Sequence, residues 1–282
     1  MKFRCVGLTE RNTLRSHNAN KFIPEIKIII CRRMNIIKIF SDDQHRLALS
    51  IMGNERAQMK SLSRPEIKEL ACVWSYYSGK IEGCTYSYAE TEGLLKDGIT
   101  PAKTWEEAKM LKNLHNAFMY EMQQILENDA HPVLDERYLL SLHGSLANGL
   151  LSGEEVAQWR NHPVGVTGAN YTPPRSRQEI QQEIARILYE QYLIENPLER
   201  AVYLHCNIAR TQPFADCNKR TSRLVEAITL MSAGLVPCYS SAPADVIAYR
   251  NAIINFYETE DYTLYADYML EKLANRAEAL SW

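Results

Sequence analysis

Apolar positions recur every three to four residues over most of the chain, the period of a helix with one buried face. Ser63-Arg-Pro-Glu66 is a capping box with proline near the first helical position, and Ile67, Leu70, Ala71, Trp74 and Tyr77 follow it at helical spacing. Thr104-Trp-Glu-Glu107 opens a second stripe through Ala108, Leu111, Leu114, Phe118, Met122 and Ile125, with His115 on its flank as a packing residue. Leu134 to Leu151 reads as a further helix. Ser176-Arg-Gln-Glu179 caps another, with Ile180, Ile184, Ile187 and Leu188 facing inward. Pro197 separates this helix from one carrying Ala201, Val202, Leu204 and Ile208, where His205 reads as a satisfied core histidine. Leu224, Val225, Ile228 and Met231 mark the next helix, and Val246 to Leu273 a last helical stretch rich in Tyr and Ile. The pattern predicts an all-α protein, a helical bundle with one small β-hairpin. Val164, Gly165, Val166, Gly168 and Asn170 suggest the short hairpin, ended by the Pro173-Pro174 pair, although as bare sequence this stretch is only a loop.

Composition bounds the class. At 282 residues with 46% hydrophobic content the chain can bury a large core, and its net charge of −2 makes a general nucleic-acid surface unexpected. No apolar run approaches the ~20 residues of a membrane span. Seven cysteines without a C-x-x-C pair read as buried thiols in a reducing compartment, so a cytoplasmic location is expected. His143 has no second ligand at metal spacing. Residues 1–33 differ, with eight basic and two acidic side chains, Glu10 and Glu25. Of a basic arm and a poorly ordered extension ahead of a start at Met34, the extension is the preferred reading. The sequence stops at Trp282, so no C-terminal DNA-binding domain is expected.

The candidate chemistry lies between two helices, in Thr211-Gln-Pro-Phe-Ala-Asp-Cys-Asn-Lys-Arg-Thr-Ser-Arg223. Pro213 ends the first helix and Asn218 suits the N-cap of the second. A loop running into a helix start presents free N–H groups at a positive dipole end, which makes an anion site. Arg220 and Arg223, three apart on one face, add guanidinium forks for phosphate oxygens, and Asp216 adds an acid able to hold a Mg2+ that bridges phosphates. A second irregularity sits at Ser78-Gly-Lys-Ile-Glu-Gly83. Gly79 weakens the helix interior by about 1 kcal/mol, and Glu82 stands at the negative end of its helix. Gly83 can supply the left-handed stop. Broken local rules are expected at functional sites.

The first stretch resembles the signature loop of the Fic family, His-x-Phe-x-(Asp/Glu)-(Gly/Ala)-Asn-(Gly/Lys)-Arg-x-x-Arg. Phe214, Asp216, Asn218, Lys219, Arg220 and Arg223 match it; Gln212 replaces the His and Cys217 the Gly or Ala. Ser78, Glu82 and Gly83 resemble the family's inhibitory motif, (Ser/Thr)-x-x-x-Glu-(Gly/Asn). The resemblance covers roughly Ser63 to Leu273. It implies residues 34–100 as a helical region with an inhibitory helix and 101–282 as a Fic domain, with ATP and Mg2+ as ligands. It implies AMP transfer from ATP to a protein hydroxyl, the target lying by strand addition along a β-hairpin flap that carries Val164, Gly165, Val166, Thr167, Gly168 and Tyr171. It also implies that Glu82 pairs with Arg223 and blocks the γ-phosphate. The family's His is the implied general base, and a Gln amide does not titrate near neutral pH. Two readings follow: a transferase impaired at Gln212, or a nucleotide-binding regulatory module that has lost the chemistry. The target and the oligomeric state stay open, a homodimer included.

Overall fold

A computed structural model describes residues 36–128, 132–240 and 242–278 of the chain. The basic segment 1–33 therefore lies outside the described residues. Among the described residues ten α-helices run in order: α1 Asp42–Gly53, α2 Arg64–Ile81, α3 Tyr88–Asp97, α4 Trp105–Asn128, α5 Glu136–Ala147, α6 Arg177–Glu190, α7 Pro197–Thr211, α8 Asn218–Ser232, α9 Pro243–Thr259 and α10 Thr263–Glu278. They belong to one packed unit that begins at Lys38. Among the described residues the only extended pairing is an isolated antiparallel bridge between Gln58 and Leu235.

Local chemistry starts these helices. Ser41, Ser63, Ser87 and Ser176 each close a capping box onto the residue three places on, a Gln or a Glu. Two of these boxes open α1 and α3, elements that the apolar periodicity alone does not mark. Proline occupies the first turn of α2, α7 and α9, where its missing N–H costs nothing.

Helices α7 and α8, joined by only six residues, form the most extensive helix–helix contact and sit at the centre of the bundle. Twelve of the 15 residues of α7 are buried, and likewise 12 of 15 in α8. A helix buried all round is normally apolar all round. α8 instead buries Asn218, Arg220, Thr221, Ser222, Arg223 and Glu226. Burying so many polar groups is favourable only where each finds a partner, and that requirement picks out α8 as the helix on which the site is built.

Three boundaries differ from the sequence pattern. α5 stops at Ala147, because Asn148 leaves the helical region and Gly149 turns left-handed at φ +73°. The last helical stretch is two helices, since Glu260 adopts φ +60° and Asp261 caps the Thr263 N–H at 2.9 Å. The expected hairpin forms no paired strands. Residues 161–170 make a turn closed by Ala169 N–H to Val166 C=O at 3.3 Å, with Gly168 at φ +85°. Instead of a ladder, tertiary contacts hold this loop: Val166, Ala169 and Tyr171 pack on the main core, and Asn170 N–H donates to Glu258 at 2.7 Å.

Candidate functional site

Two left-handed residues bracket the connection between α7 and α8. Gln212 ends α7 at φ +46° and Cys217 begins α8 at φ +63°, neither of them glycine. Such conformations strain an L-residue and persist where the surroundings impose them. Asn218 provides much of that constraint, in a role other than the expected N-cap. It is the first residue of α8, with Cys217 at the cap, and its amide reaches back across the loop. Phe214 N–H donates to Asn218 Oδ1 at 2.8 Å, and Asn218 Nδ2 donates to Phe214 C=O at 2.9 Å. The side chain thus mimics a pair of strand hydrogen bonds. Phe214 is fully buried, its ring stacked on His143 at 3.8 Å between centroids and on Trp159 at 5.1 Å.

The start of α8 is set up for an anion. No side chain caps its first turn and no acid sits there; Lys219 and Arg220 do, against the usual preference. Arg220 is buried, and its Nε has no acceptor among the described residues. Its NH2 donates to Asp216 at 2.7 Å, while Asp216 also accepts the Cys217 N–H at 2.6 Å. Asp216 is an exposed carboxylate beside the open helix start, at 60% exposure. A Mg2+ needs only one or two protein carboxylates when phosphates complete its shell, so this donor set fits one. To ligate it, Asp216 would have to loosen its contact with Arg220. Among the described residues no group of three or more His, Cys, Asp or Glu could hold a metal without such a ligand.

Arg223 lies one turn deeper and is fully buried. Its Nε and NH2 donate to the Oγ and C=O of Ser78, both at 3.3 Å, and NH2 donates to Glu82 Oε1 at 2.7 Å. NH1 donates to Tyr249 Oη at 3.2 Å. Glu82 is the residue after the last turn of α2, and its other oxygen lies 3.5 Å from Lys219 Nζ. Burial pushes the Glu82 carboxyl up, but Arg223, with Lys219 and Arg220 behind it, outweighs this and holds it at about 2. Gly83 turns the chain away at φ +90°. The structure thus brings Ser78, Glu82, Lys219 and Arg223 into one cluster. It leaves Gly165, Thr167 and Gly168 exposed on the loop and Val164 half-exposed.

Gln212 closes its own helix. Its amide Nε2 donates to Ala209 C=O at 2.7 Å, closing the end of α7. His205, two turns back, is fully buried against Tyr249 and Glu226. Burial and the Arg223 charge hold its pKa far below the ordinary value. His143 is likewise held neutral, at about 4, chiefly by burial. Cys217 is buried, and its thiol is pushed up to about 12 by burial.

Several participants escape a reading of the sequence. Tyr249 and the neighbouring Arg250, whose guanidinium donates to Ile81 C=O at 2.8 Å, come from α9. Only their place in a Tyr-rich helix could have hinted at them. Trp159 and Arg160 precede the exposed loop, and no periodicity marks them. The donors of Arg160 go to Gln212 C=O, His162 C=O and Pro174 C=O at 2.6, 2.8 and 2.6 Å.

Comparison with known proteins agrees with this geometry. Residues 133–230 match the model of the Fic/DOC family. The protein adenylyltransferase fic-1 of Caenorhabditis elegans is 26% identical over 184 residues, 64% of this chain and 35% of that protein. The protein adenylyltransferase Fic of Aedes aegypti is 28% identical over 197 residues, 69% of this chain and 38% of that protein. The chain therefore spans little more than a third of the length of these relatives. Among solved structures, Fic-1 (aa134 - 508) from C. elegans superposes with a TM-score of 0.65 at 19% identity, covering 91% of this chain and 72% of that one. A Fic family protein from Desulfovibrio desulfuricans G20 gives 0.67 at 19% identity, covering 86% and 75%. At such identities the likeness is one of fold. Residues 133–230, with the loop and the two arginines they contain, form a domain of the Fic/DOC family.

Proposed function

We propose that the chain binds Mg-ATP at the start of α8 and belongs to the protein-modifying side of its family, transferring AMP to a protein hydroxyl at a rate depressed by Gln212 and held down at rest by Glu82. In this reading residues 101–282 are the Fic domain proper and 34–100 carry the inhibitory helix. The first-turn N–H groups, Arg220 and Arg223 would hold the β- and γ-phosphates, and Asp216 would hold a Mg2+ that offsets their charge. The target hydroxyl oxygen attacks the α-phosphorus, the bond to the β-phosphate oxygen breaks, and pyrophosphate leaves. The hydroxyl proton passes to water, because Gln212 cannot take it. The target lies along residues 164–171, where the exposure of Gly165, Thr167, Gly168 and Asn170 supports docking of an extended segment. The free, mostly buried thiols of Cys72, Cys84, Cys206, Cys217 and Cys238 support a reducing, cytoplasmic setting.

The observation that carries this reading is the uncapped, acid-free first turn of α8 beside a buried Arg220 donor without an acceptor. An anion would satisfy all of these groups at once. Incubation of the Glu82→Gly protein with labelled ATP and Mg2+ is expected to give self-labelling that wild type lacks. Calorimetry showing no ATP binding by that variant would defeat the reading.

One observation favours the alternative, a nucleotide-binding module without transfer. The Gln212 amide is occupied in capping α7, and His143 and His205 are both buried and neutral. ATP binding by the Glu82→Gly protein with no labelling at any pH would select that alternative.

A further inference from the structure

We propose that Arg160 is a positioning residue that ties the exposed 162–174 loop to the backbone of the signature loop, so that what happens on one is transmitted to the other. This rests on the proposed function for its catalytic consequence, but its structural basis stands apart from it. Arg160 is only 3% exposed, and its guanidinium is spent on three backbone carbonyls rather than on phosphate or an acid. Burial lowers its pKa, so keeping the charge there is unfavourable by itself. One of the three carbonyls, Gln212 C=O, lies at the negative end of the α7 dipole and belongs to a residue in a left-handed conformation. The other two, His162 and Pro174, are the two feet of the exposed loop. The Arg160 N–H adds a fourth tie, donating to Pro213 C=O at 3.0 Å. One planar fork therefore fixes both feet of the loop and the direction in which residue 212 leaves α7. A lysine, with a single point charge, cannot span three diverging carbonyls.

The test uses the full chain carrying Glu82→Gly and Gln212→His as parent, with Arg160→Lys and Arg160→Met added separately. Hydrogen exchange is read on the segments 161–172 and 209–217, and on 224–232 as an internal control. Both variants are expected to raise exchange in the first two segments together, at least tenfold, and to leave the third unchanged. ATP affinity should stay within about threefold of the parent, because Arg160 touches none of the phosphate-facing groups, while AMP transfer falls at least tenfold. Exchange rising in one segment alone, or ATP affinity falling in step with transfer, would overturn the proposal. If Arg160→Met does not fold, Arg160→Lys decides. A parent that binds no ATP would defeat the proposed function, and the exchange measurement would still decide the coupling.

Discussion

Glu82 and Arg223, 141 positions apart in the chain, meet at 2.7 Å, and the arginine in this pair is completely buried. The carboxylate compensates a guanidinium that is fully buried. The proposed inhibition rests on the same contact, so releasing the site should cost stability.

Glu82→Gly should therefore lower the unfolding free energy by about 3–5 kcal/mol, as expected when one member of a buried pair is removed. ATP with Mg2+ should restore much of it, by mass action on the native state. Denaturant titrations of wild type and variant, with and without nucleotide, check both signs. Equal stability of the two apo proteins would mean that the pair contributes nothing.

The same contact predicts a response to acid. The folded state holds the Glu82 carboxyl at about 2, below its ordinary value of 4.5, so its contribution is present above pH 4.5 and lost as pH falls toward 2. The full contribution is about 3 kcal/mol. The stability difference between wild type and Glu82→Gln should shrink across that window, measured by urea unfolding at a series of pH values.

Glu226 predicts the opposite slope. It is buried, donated to by Tyr265 Oη at 2.6 Å, and burial raises its pKa to about 7 against the smaller opposing effects of Tyr265 and Arg223. The folded state then holds a proton that the unfolded chain releases above pH 4.5. Stability from this group is complete below pH 4.5 and lost as pH rises through 7. Glu226→Gln, which keeps the neutral shape, should be more stable than wild type at pH 8 by about 2–3 kcal/mol, with the gap closing near pH 4.5. A gap that widens on acidification would show the group to be ionised in the fold.

Gln212→His in the Glu82→Gly background should raise AMP transfer by roughly 10²- to 10⁴-fold, the contribution of a positioned base. The left-handed backbone at residue 212 already ends α7 at that point, so only the side chain has to change. Label incorporation with each variant is the measurement. Activity unchanged by the histidine would mean that the loop holds this position away from the α-phosphate.

Cys217 tests the loop itself. Glycine tolerates φ +63° without strain, whereas a β-branched residue does not. Cys217→Gly should change thermal stability by no more than about 1 kcal/mol, and Cys217→Val should lower it by about 2 kcal/mol or more. Similar losses in both would place the thiol's packing above the backbone strain.

What the sequence determined by itself is what short-range physics governs. Helix periodicity and capping act over three or four residues, so the helices opened by Ser63, Thr104 and Ser176 are visible without a fold. So is the anomaly of a helix start at Lys219 and Arg220 with no acid, because a helix dipole is local too. The tertiary structure decided whatever depends on which surfaces meet. Residues 161–170 read as a loop from sequence and as a hairpin only through the family resemblance; β pairing needs a partner strand at the right register, and core contacts from Val166, Ala169 and Tyr171 hold the loop instead. Asn218 has the chemistry of an N-cap, but its amide does more by closing the Phe214 backbone. Arg160 and Tyr249 look like ordinary polar and aromatic positions in the chain. Their roles exist only because folding surrounds a buried guanidinium with three carbonyls in one case, and sets a phenol beside Arg223 in the other, and burial makes every such partner obligatory.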